Sequence, residues 1–143
     1  MQNITPTKGH AKLEQTLIEF LEGSSGMIMA SRATVDGFNI VTKESGQNTL
    51  EPDMLSAISS SLFALSQASA KQISGEAPDI TSVETRSGTI LFISTRYSNQ
   101  PCVLTVYAQS KITLGALRYT AIKLSRNIEK IGEGHPFDYL LEG

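Results

Sequence analysis

Residues 54–70 contain no Asp, Glu, Lys or Arg, although charged residues make up 18% of the whole chain. These seventeen residues are six Ser, four Ala, one Gln and six large apolar residues. Pro52 ahead of them and Gly75 behind them are typical helix boundaries, so we predict one helix from 52 to about 74. A helix that buries a single face normally carries charges on its opposite side. The missing charges therefore indicate that this helix is covered on both sides.

The large apolar residues of this helix divide it into two faces. Five of them fall within an arc of about 100° when each residue turns the helix by about 100°, and this arc is the predicted core face. They are Met54, Leu55, Ile58, Leu62 and Leu65. Phe63 lies outside the arc, among small residues that would let a second backbone approach closely.

The side of the helix around Phe63 is our candidate for contact with a second protein, and self-association is the simplest source of that contact. The candidate contact residues are Leu55, Ser56, Ser59, Phe63, Ser66 and Ala70. On this hypothesis a Phe63→Asp variant stays folded and loses its partner. The alternative is an exposed Ser/Ala helix with one stray Phe, since scattered apolar residues are common on surfaces.

Hydrophobic periodicity divides the remaining sequence into two further helices and five strands. The predicted helices cover 8–22 and 114–130, and the predicted strands cover 27–33, 38–42, 80–86, 89–95 and 102–109. Asp36 and Gly37 form a turn signal between the first two strands, because both residues tolerate a positive φ. The last two strands are apolar on both faces, which is typical of covered central strands. The element order is therefore α-β-β-α-β-β-β-α.

The strand at 80–86 is the most polar of the last three, so we interpret it as the edge of a sheet. An open edge invites pairing with another chain. Two copies paired antiparallel about Thr85 would place Glu84 opposite Arg86 of the other copy, which is a favourable cross-strand pair. The candidate interface residues on this strand are Thr81, Val83, Glu84, Thr85 and Arg86. A solvated polar edge is the alternative.

Composition limits the environment and the partners. The net charge is −2, so the whole chain lacks the basic footprint of a nucleic-acid-binding protein. No stretch approaches the roughly 20 apolar residues of a membrane span, and residues 1–10 do not resemble a secretory signal. A single Cys102 cannot form an intramolecular disulfide, which fits a reducing compartment. We expect a cytoplasmic protein with a flexible N-terminus (1–7), one domain (8–130) and a C-terminal tail (131–143).

The residue patterns of common catalytic sites are missing from the sequence. His10 and His135 lie near opposite ends, and no HxxH or CxxC spacing supplies a metal site. Serine occurs in no GxSxG elbow, and the glycines form neither GxGxxG nor GxxxxGK[ST]. Cys102 opens an apolar strand and is interpreted as a buried small residue, and Asp36 as a turn residue. We therefore expect no catalysis, no metal and no cofactor.

The last helix and the tail each carry residues that could contact another protein. Five basic residues lie roughly opposite the apolar side of the helix: Lys111, Arg118, Lys123, Arg126 and Lys130. We interpret them as a solvated face, with contact to an acidic partner as the lesser possibility. The tail contains the apolar run from Pro136 to Leu141, interrupted by Asp138, and is apolar enough to dock on its own domain or on a partner.

The order and spacing of these elements resemble the roadblock/LC7 domain family, which includes dynein light chains and bacterial partners of small Ras-like GTPases. The resemblance covers residues 12–128. It rests on VDGFNI (35–40), the small-residue helix (55–72), TILFIS (89–94), CVLTVYA (102–108) and ITLGALRYT (112–120). The tail lies outside this pattern.

The resemblance implies a five-stranded antiparallel sheet of the α+β class, with the first and last helices on one face and the second helix on the other. It further implies a homodimer joined through the second helices and the strand at 80–86. The implied function is a regulator or scaffold that binds a small Ras-like GTPase, with a raised rate of GTP hydrolysis in some members. An arginine supplied to the GTPase could come from Arg32, Arg86 or Arg96. Nothing in the sequence selects one of them.

Two alternatives to a GTPase partner remain. The same scaffold could serve a cytoskeletal, motor or signalling complex. A small-ligand sensor of the PAS or GAF type also flanks antiparallel strands with helices, and it would require a cavity of roughly 300 Å³ or more between sheet and helix.

Overall fold

The computed structural model describes residues 8–47, 49–97 and 100–133. Its elements are α1 (Lys8–Glu22), β1 (Met27–Thr34), β2 (Asn39–Glu44), α2 (Pro52–Ser74), β3 (Ile80–Glu84), β4 (Gly88–Tyr97), β5 (Gln100–Gln109) and α3 (Leu114–Glu133). The predicted element order is confirmed. α3 continues three residues beyond its predicted end at 130, and the predictions for residues 1–7 and 134–143 lie outside the described residues.

The five strands form one antiparallel sheet in the order β2-β1-β5-β4-β3. β3 is an edge strand, as its polar sequence predicted. β5 lies in the middle, between β1 and β4, which agrees with its apolar character on both faces. β3 is shorter than predicted and ends at Glu84, because Thr85 begins the turn to β4. The Thr85 hydroxyl and amide both bond with the Gly88 backbone in that turn.

The helices cover both faces of the sheet. α1 and α3 pack together on one face, and α2 packs on the other face against β1, β2 and β5. The larger core lies under α1 and α3. It is built from fully buried side chains, including Leu13, Leu17, Leu91, Leu104, Val106, Leu117 and Ile128. The smaller core under α2 centres on Phe63, Phe92 and Val103.

The hairpin between β1 and β2 packs closely against the first half of α2. Gly37 has a φ of 101°, which a residue with a Cβ rarely adopts. A Cβ at Gly37 would also lie 3.3 Å from the Ser60 hydroxyl of α2. The turn is closed by backbone bonds between Thr34 and both Gly37 and Phe38. The positive φ therefore favours glycine at this turn, and a Cβ would in addition crowd the Ser60 hydroxyl.

The predicted orientation of α2 is wrong. The buried residues of this helix are Ser56, Ser59, Ser60 and Phe63, whereas Met54, Ile58 and Leu65 of the predicted core face are exposed. The helix is thus rotated by roughly 140° from the predicted orientation. Small hydroxyl residues bring the helix close to the sheet, where Ser56 and Ser59 find hydrogen-bond partners, while Ser60 donates to the Ala57 carbonyl within the helix. Ser59 bonds with Thr105 of β5 at 3.1 Å, and Ser56 donates to Asn39 of β2 at 3.3 Å.

Phe63 is the large side chain that anchors α2, so its removal is expected to destabilise the fold. We expect Phe63→Ala to lower the free energy of unfolding by about 3–5 kcal/mol, because it leaves a cavity beside Phe92 and Val103. Ile73→Ala, at an exposed position of the same helix, is expected to change it by less than about 0.5 kcal/mol. Urea denaturation measures both. Equal effects would show that Phe63 does not anchor the helix.

An ion pair between α1 and β2 predicts a pH dependence. Lys43 Nζ lies 2.7 Å from Glu14 Oε2, and this hydrogen bond holds the pKa of Glu14 below its ordinary value. Ionised Glu14 therefore stabilises the fold above its unfolded pKa, and the stabilisation is lost as the pH falls through the folded pKa. Because both side chains are partly exposed, the contribution is small, about 0.2–1 kcal/mol.

The expected result is that Glu14→Gln lowers the free energy of unfolding near neutral pH. Its effect should disappear in acid, where Glu14 is protonated in the folded and unfolded states alike. Glu22→Gln removes a carboxylate from an exposed position of the same helix, where the described residues offer no ion pair, and serves as the control. Urea denaturation at several pH values tests this, and a Glu14→Gln effect that does not change with pH would contradict it.

Candidate protein-binding interface

An apolar stripe runs along the outer side of α2. We define it as Met54, Ile58, Leu65 and Ile73, which are 64%, 56%, 66% and 86% exposed. Its first three residues belong to the seventeen-residue segment without charge. Large apolar side chains exposed together on one side of a helix are typical of a site where another molecule binds. The stripe therefore replaces the surroundings of Phe63 as the candidate contact surface of this helix.

The inner residues of the predicted interface do not reach this surface. Ser56, Ser59 and Phe63 are buried against the sheet of the same chain, so their assignment to the contact surface is corrected. They position the helix instead. Leu55, Ser66 and Ala70 are half-buried along the flank of the helix and stay candidates.

The flank of α2 and the edge strand β3 contribute to the same small core. Leu62 of α2 and Val83 of β3 both pack against the cluster around Phe63. Thr81 and Val83 are half-buried, and Glu84 is exposed at the end of the strand. The structure thus places the helix and strand parts of the predicted interface on the same face of the sheet.

The end of β3 changes the predicted register. Thr85 and Arg86 are exposed and lie in the turn after β3, so they cannot form the centre of a regular strand pair. A pairing of two β3 strands would instead centre on Ser82, whose side chain is exposed in the middle of Ile80–Glu84. The candidate edge interface therefore moves from Thr85 into the strand.

Arg32 is not available to another protein. Its side chain is 0% exposed, and it donates a hydrogen bond to the carbonyl of Arg96. The guanidinium also lies over the ring of Tyr97, with 4.8 Å from Cζ to the ring centre. Burial lowers the pKa of Arg32 from its ordinary value. Arg86 and Arg96 are exposed, and the geometry selects neither of them as an arginine for a bound partner.

The described residues offer little for metal or thiol chemistry. Within residues 8–47, 49–97 and 100–133, no three His, Cys, Asp or Glu side chains group as metal ligands would. Cys102 is fully buried, and burial raises the pKa of its thiol, which disfavours the reactive thiolate. None of the helices in the described part of the chain has the length and apolar character to cross a membrane.

Sequence reasoning missed the outward apolar stripe, although it found the helix that carries it. The absence of charge predicted a helix covered on both sides; the sheet covers one side, and the cover of the other side stays a prediction. The sequence could not tell which side of α2 faces the sheet. That orientation depends on hydrogen bonds from the hydroxyls of Ser56 and Ser59 to residues on β2 and β5, far away along the chain. The exposed Phe38, at the hairpin beside Gly37, was also missed.

Comparisons with known proteins identify the fold. No family model matches the sequence, and a search of curated proteins finds no match either. Among solved structures, MglB in a tetrameric arrangement has a TM-score of 0.77 at 16% identity, covering 92% of this chain and 95% of that chain. The gliding protein MglB from Thermus thermophilus has a TM-score of 0.76 at 17% identity, covering 92% and 96%. A roadblock/LC7 domain from Streptomyces avermitilis has a TM-score of 0.69 at 16% identity, covering 82% and 94%. The chain therefore has the roadblock/LC7 fold that its sequence pattern predicted.

Proposed function

We propose that the protein is a non-catalytic homodimer that binds a small Ras-like GTPase and regulates or scaffolds it. The observation that carries the proposal is the apolar stripe of α2, which the protomer leaves uncovered. The resemblance of the sequence to the roadblock/LC7 family supplies the class of the partner. The sequence contains neither GxGxxG nor GxxxxGK[ST], so on this proposal the GTPase holds the nucleotide.

The proposed dimer joins two copies through β3 and the flank of α2. Pairing of the two edge strands would extend the five-stranded sheet into one continuous sheet and satisfy the free backbone groups of both edges. The two α2 helices would then approach each other along Leu55, Leu62, Ser66 and Ala70. Small residues at two of these positions permit close helix packing, and a stable interface needs about 800 Å² per partner.

The proposed GTPase site is the apolar stripe, which in such a dimer stays on the outside of both α2 helices. Two stripes side by side form an extended apolar platform without charge, which a partner can cover without burying unpaired ions. If this binding regulates the GTPase, the rate of GTP hydrolysis differs between the bound and the free GTPase, and this difference can be measured.

The two alternative functions differ from this proposal either in the partner protein or in the binding site. An adaptor for a cytoskeletal, motor or signalling complex would use the same stripe for another protein. A small-ligand sensor is not favoured, because the groove of about 520 Å³ found beside α3 is open and lined in part by Asp79, Arg118, Arg126 and Glu129. An enclosed and mainly apolar cavity would suit such a ligand better.

The dimer is tested by a charge at the sheet edge. We expect the wild-type protein to sediment as a dimer at tens of micromolar and Ser82→Lys to weaken the dimer about tenfold or more. The reason is that two lysines would then face each other across the paired β3 strands. Gln15→Lys makes the same change of net charge on the exposed side of α1 and should leave the dimer intact. A wild-type monomer at this concentration would refute the dimer.

The partner is tested by a charge on the stripe. Affinity capture from the source cells, read by mass spectrometry, should recover a Ras-like GTPase, and Leu65→Asp should weaken its binding about tenfold or more. A carboxylate in the centre of an apolar interface is costly to desolvate. Tyr119→Asp is the matched control, because Tyr119 is equally exposed but lies on α3, across the sheet.

Sedimentation of Leu65→Asp separates the two parts of the proposal, since this variant should remain a dimer. Recovery of a motor or cytoskeletal protein and no GTPase would favour the adaptor. Equal binding of the GTPase by wild type and Leu65→Asp would show that the stripe is not its site.

A further inference from the structure

A groove of about 520 Å³ lies between α3 and the β3–β4 edge of the sheet. α3 belongs to the face opposite α2, so the groove is separate from the apolar stripe. Ile80 and Ile93 line the groove from the sheet, and Ile122 lines it from α3. Ile80 and Ile122 are only half-buried, so the groove offers apolar surface that the described residues leave partly open.

A regular row of side chains runs along the helix wall of the groove. Arg118, Ile122 and Arg126 all line it and follow one another at intervals of four residues. Neighbours in this row are therefore about 6 Å apart along the helix axis. Both arginines are exposed, and neither takes part in an ion pair within residues 8–47, 49–97 and 100–133. Asp79 and Glu129 also line the groove, so its charge is mixed.

The row fits a strand whose side chains alternate acidic, apolar and acidic. Residues i, i+2 and i+4 of an extended strand share one face and follow one another about every 6.6 Å. This spacing nearly equals the spacing of the helix row. The sequence contains such a segment in GHPFDYLLEG (134–143), where Asp138, Leu140 and Glu142 stand at alternate positions.

We propose that residues 134–143 bind in the groove of their own chain, as an extended strand antiparallel to α3. In this register Asp138 pairs with Arg126, Leu140 packs on Ile122, and Glu142 pairs with Arg118. The other face of the strand carries Phe137, Tyr139 and Leu141, which cover the apolar surface contributed by the sheet.

The connection to α3 makes this binding geometrically direct. α3 ends at Glu133, one turn beyond Glu129 at the edge of the groove. Gly134 and Pro136 follow at once, and these residue types commonly end a helix and permit the chain to reverse. Ten extended residues reach about 33 Å. The helix row with Glu129 spans only about 17 Å. A short tether also raises the effective concentration of the segment at the groove.

The test is limited proteolysis of the full chain. Chymotrypsin cleaves after Phe137, Tyr139 and Leu140, and cleavage requires the segment to leave the groove. We expect the double variant Arg118→Glu/Arg126→Glu to be cleaved there about tenfold faster than wild type, as the population of the free segment rises. Lys123→Glu/Lys130→Glu makes the same charge change on exposed residues of α3 outside the groove and should match wild type. Circular dichroism of both variants checks that the fold is retained.

Charge swaps test the register. In an Arg126→Glu background, Asp138→Arg should restore slow cleavage because it rebuilds the proposed pair, whereas Glu142→Arg should not restore it. In an Arg118→Glu background, Glu142→Arg should restore slow cleavage. Cleavage of wild type as fast as the Arg118→Glu/Arg126→Glu variant would overturn the proposal. Equally fast cleavage of the Lys123→Glu/Lys130→Glu control would overturn it too. Protection of the segment that appears only at higher protein concentration would also overturn it, because binding within one chain does not depend on concentration.

Discussion

The contact between the serine face of α2 and the sheet determines most of what this molecule presents to its surroundings. Ser59 bonds with Thr105 in the interior, Ser56 reaches Asn39, and Phe63 fills the remaining space against Phe92 and Val103. A buried hydroxyl is tolerated because it has a hydrogen-bond partner. Once these small residues face inward, the helical period forces Met54, Ile58 and Leu65 outward.

The outward stripe and the half-buried flank belong to α2, and the flank shares the small core around Phe63 with Val83 of the open β3 edge. Both the stripe and the edge are unfavourable for an isolated chain in water, because the stripe exposes apolar area and the edge exposes unpaired backbone groups. In the proposed assembly, a second copy pairs with the edge and a partner protein covers the stripe. The opposite face differs in character, since α1 and α3 bury their apolar sides together and expose charged residues.

The element order, the hairpin at Gly37, the edge position of β3 and the central position of β5 could all be predicted from local sequence. Each depends on periodicity or on a turn residue a few positions away. The orientation of α2 could not, because it depends on hydroxyl partners far along the chain, Asn39 on β2 and Thr105 on β5. A hydrophobicity scale ranks Leu, Ile and Met above Ser, so it assigns the wrong face of α2 to the core when the buried serines have hydrogen-bond partners. The burial of Arg32 was equally out of reach, since the Arg96 carbonyl and the Tyr97 ring come from β4.

The most direct test of this account compares two adjacent positions of α2 by cysteine accessibility. Ile58→Cys and Ser59→Cys place a thiol on the outer and inner sides of the helix, and the buried Cys102 serves as an internal reference. The account predicts that Cys at 58 reacts with a water-soluble maleimide under native conditions, whereas Cys at 59 stays as unreactive as Cys102. Rapid labelling at 59 with protection at 58 would contradict the orientation of α2, and with it the interface built on the apolar stripe.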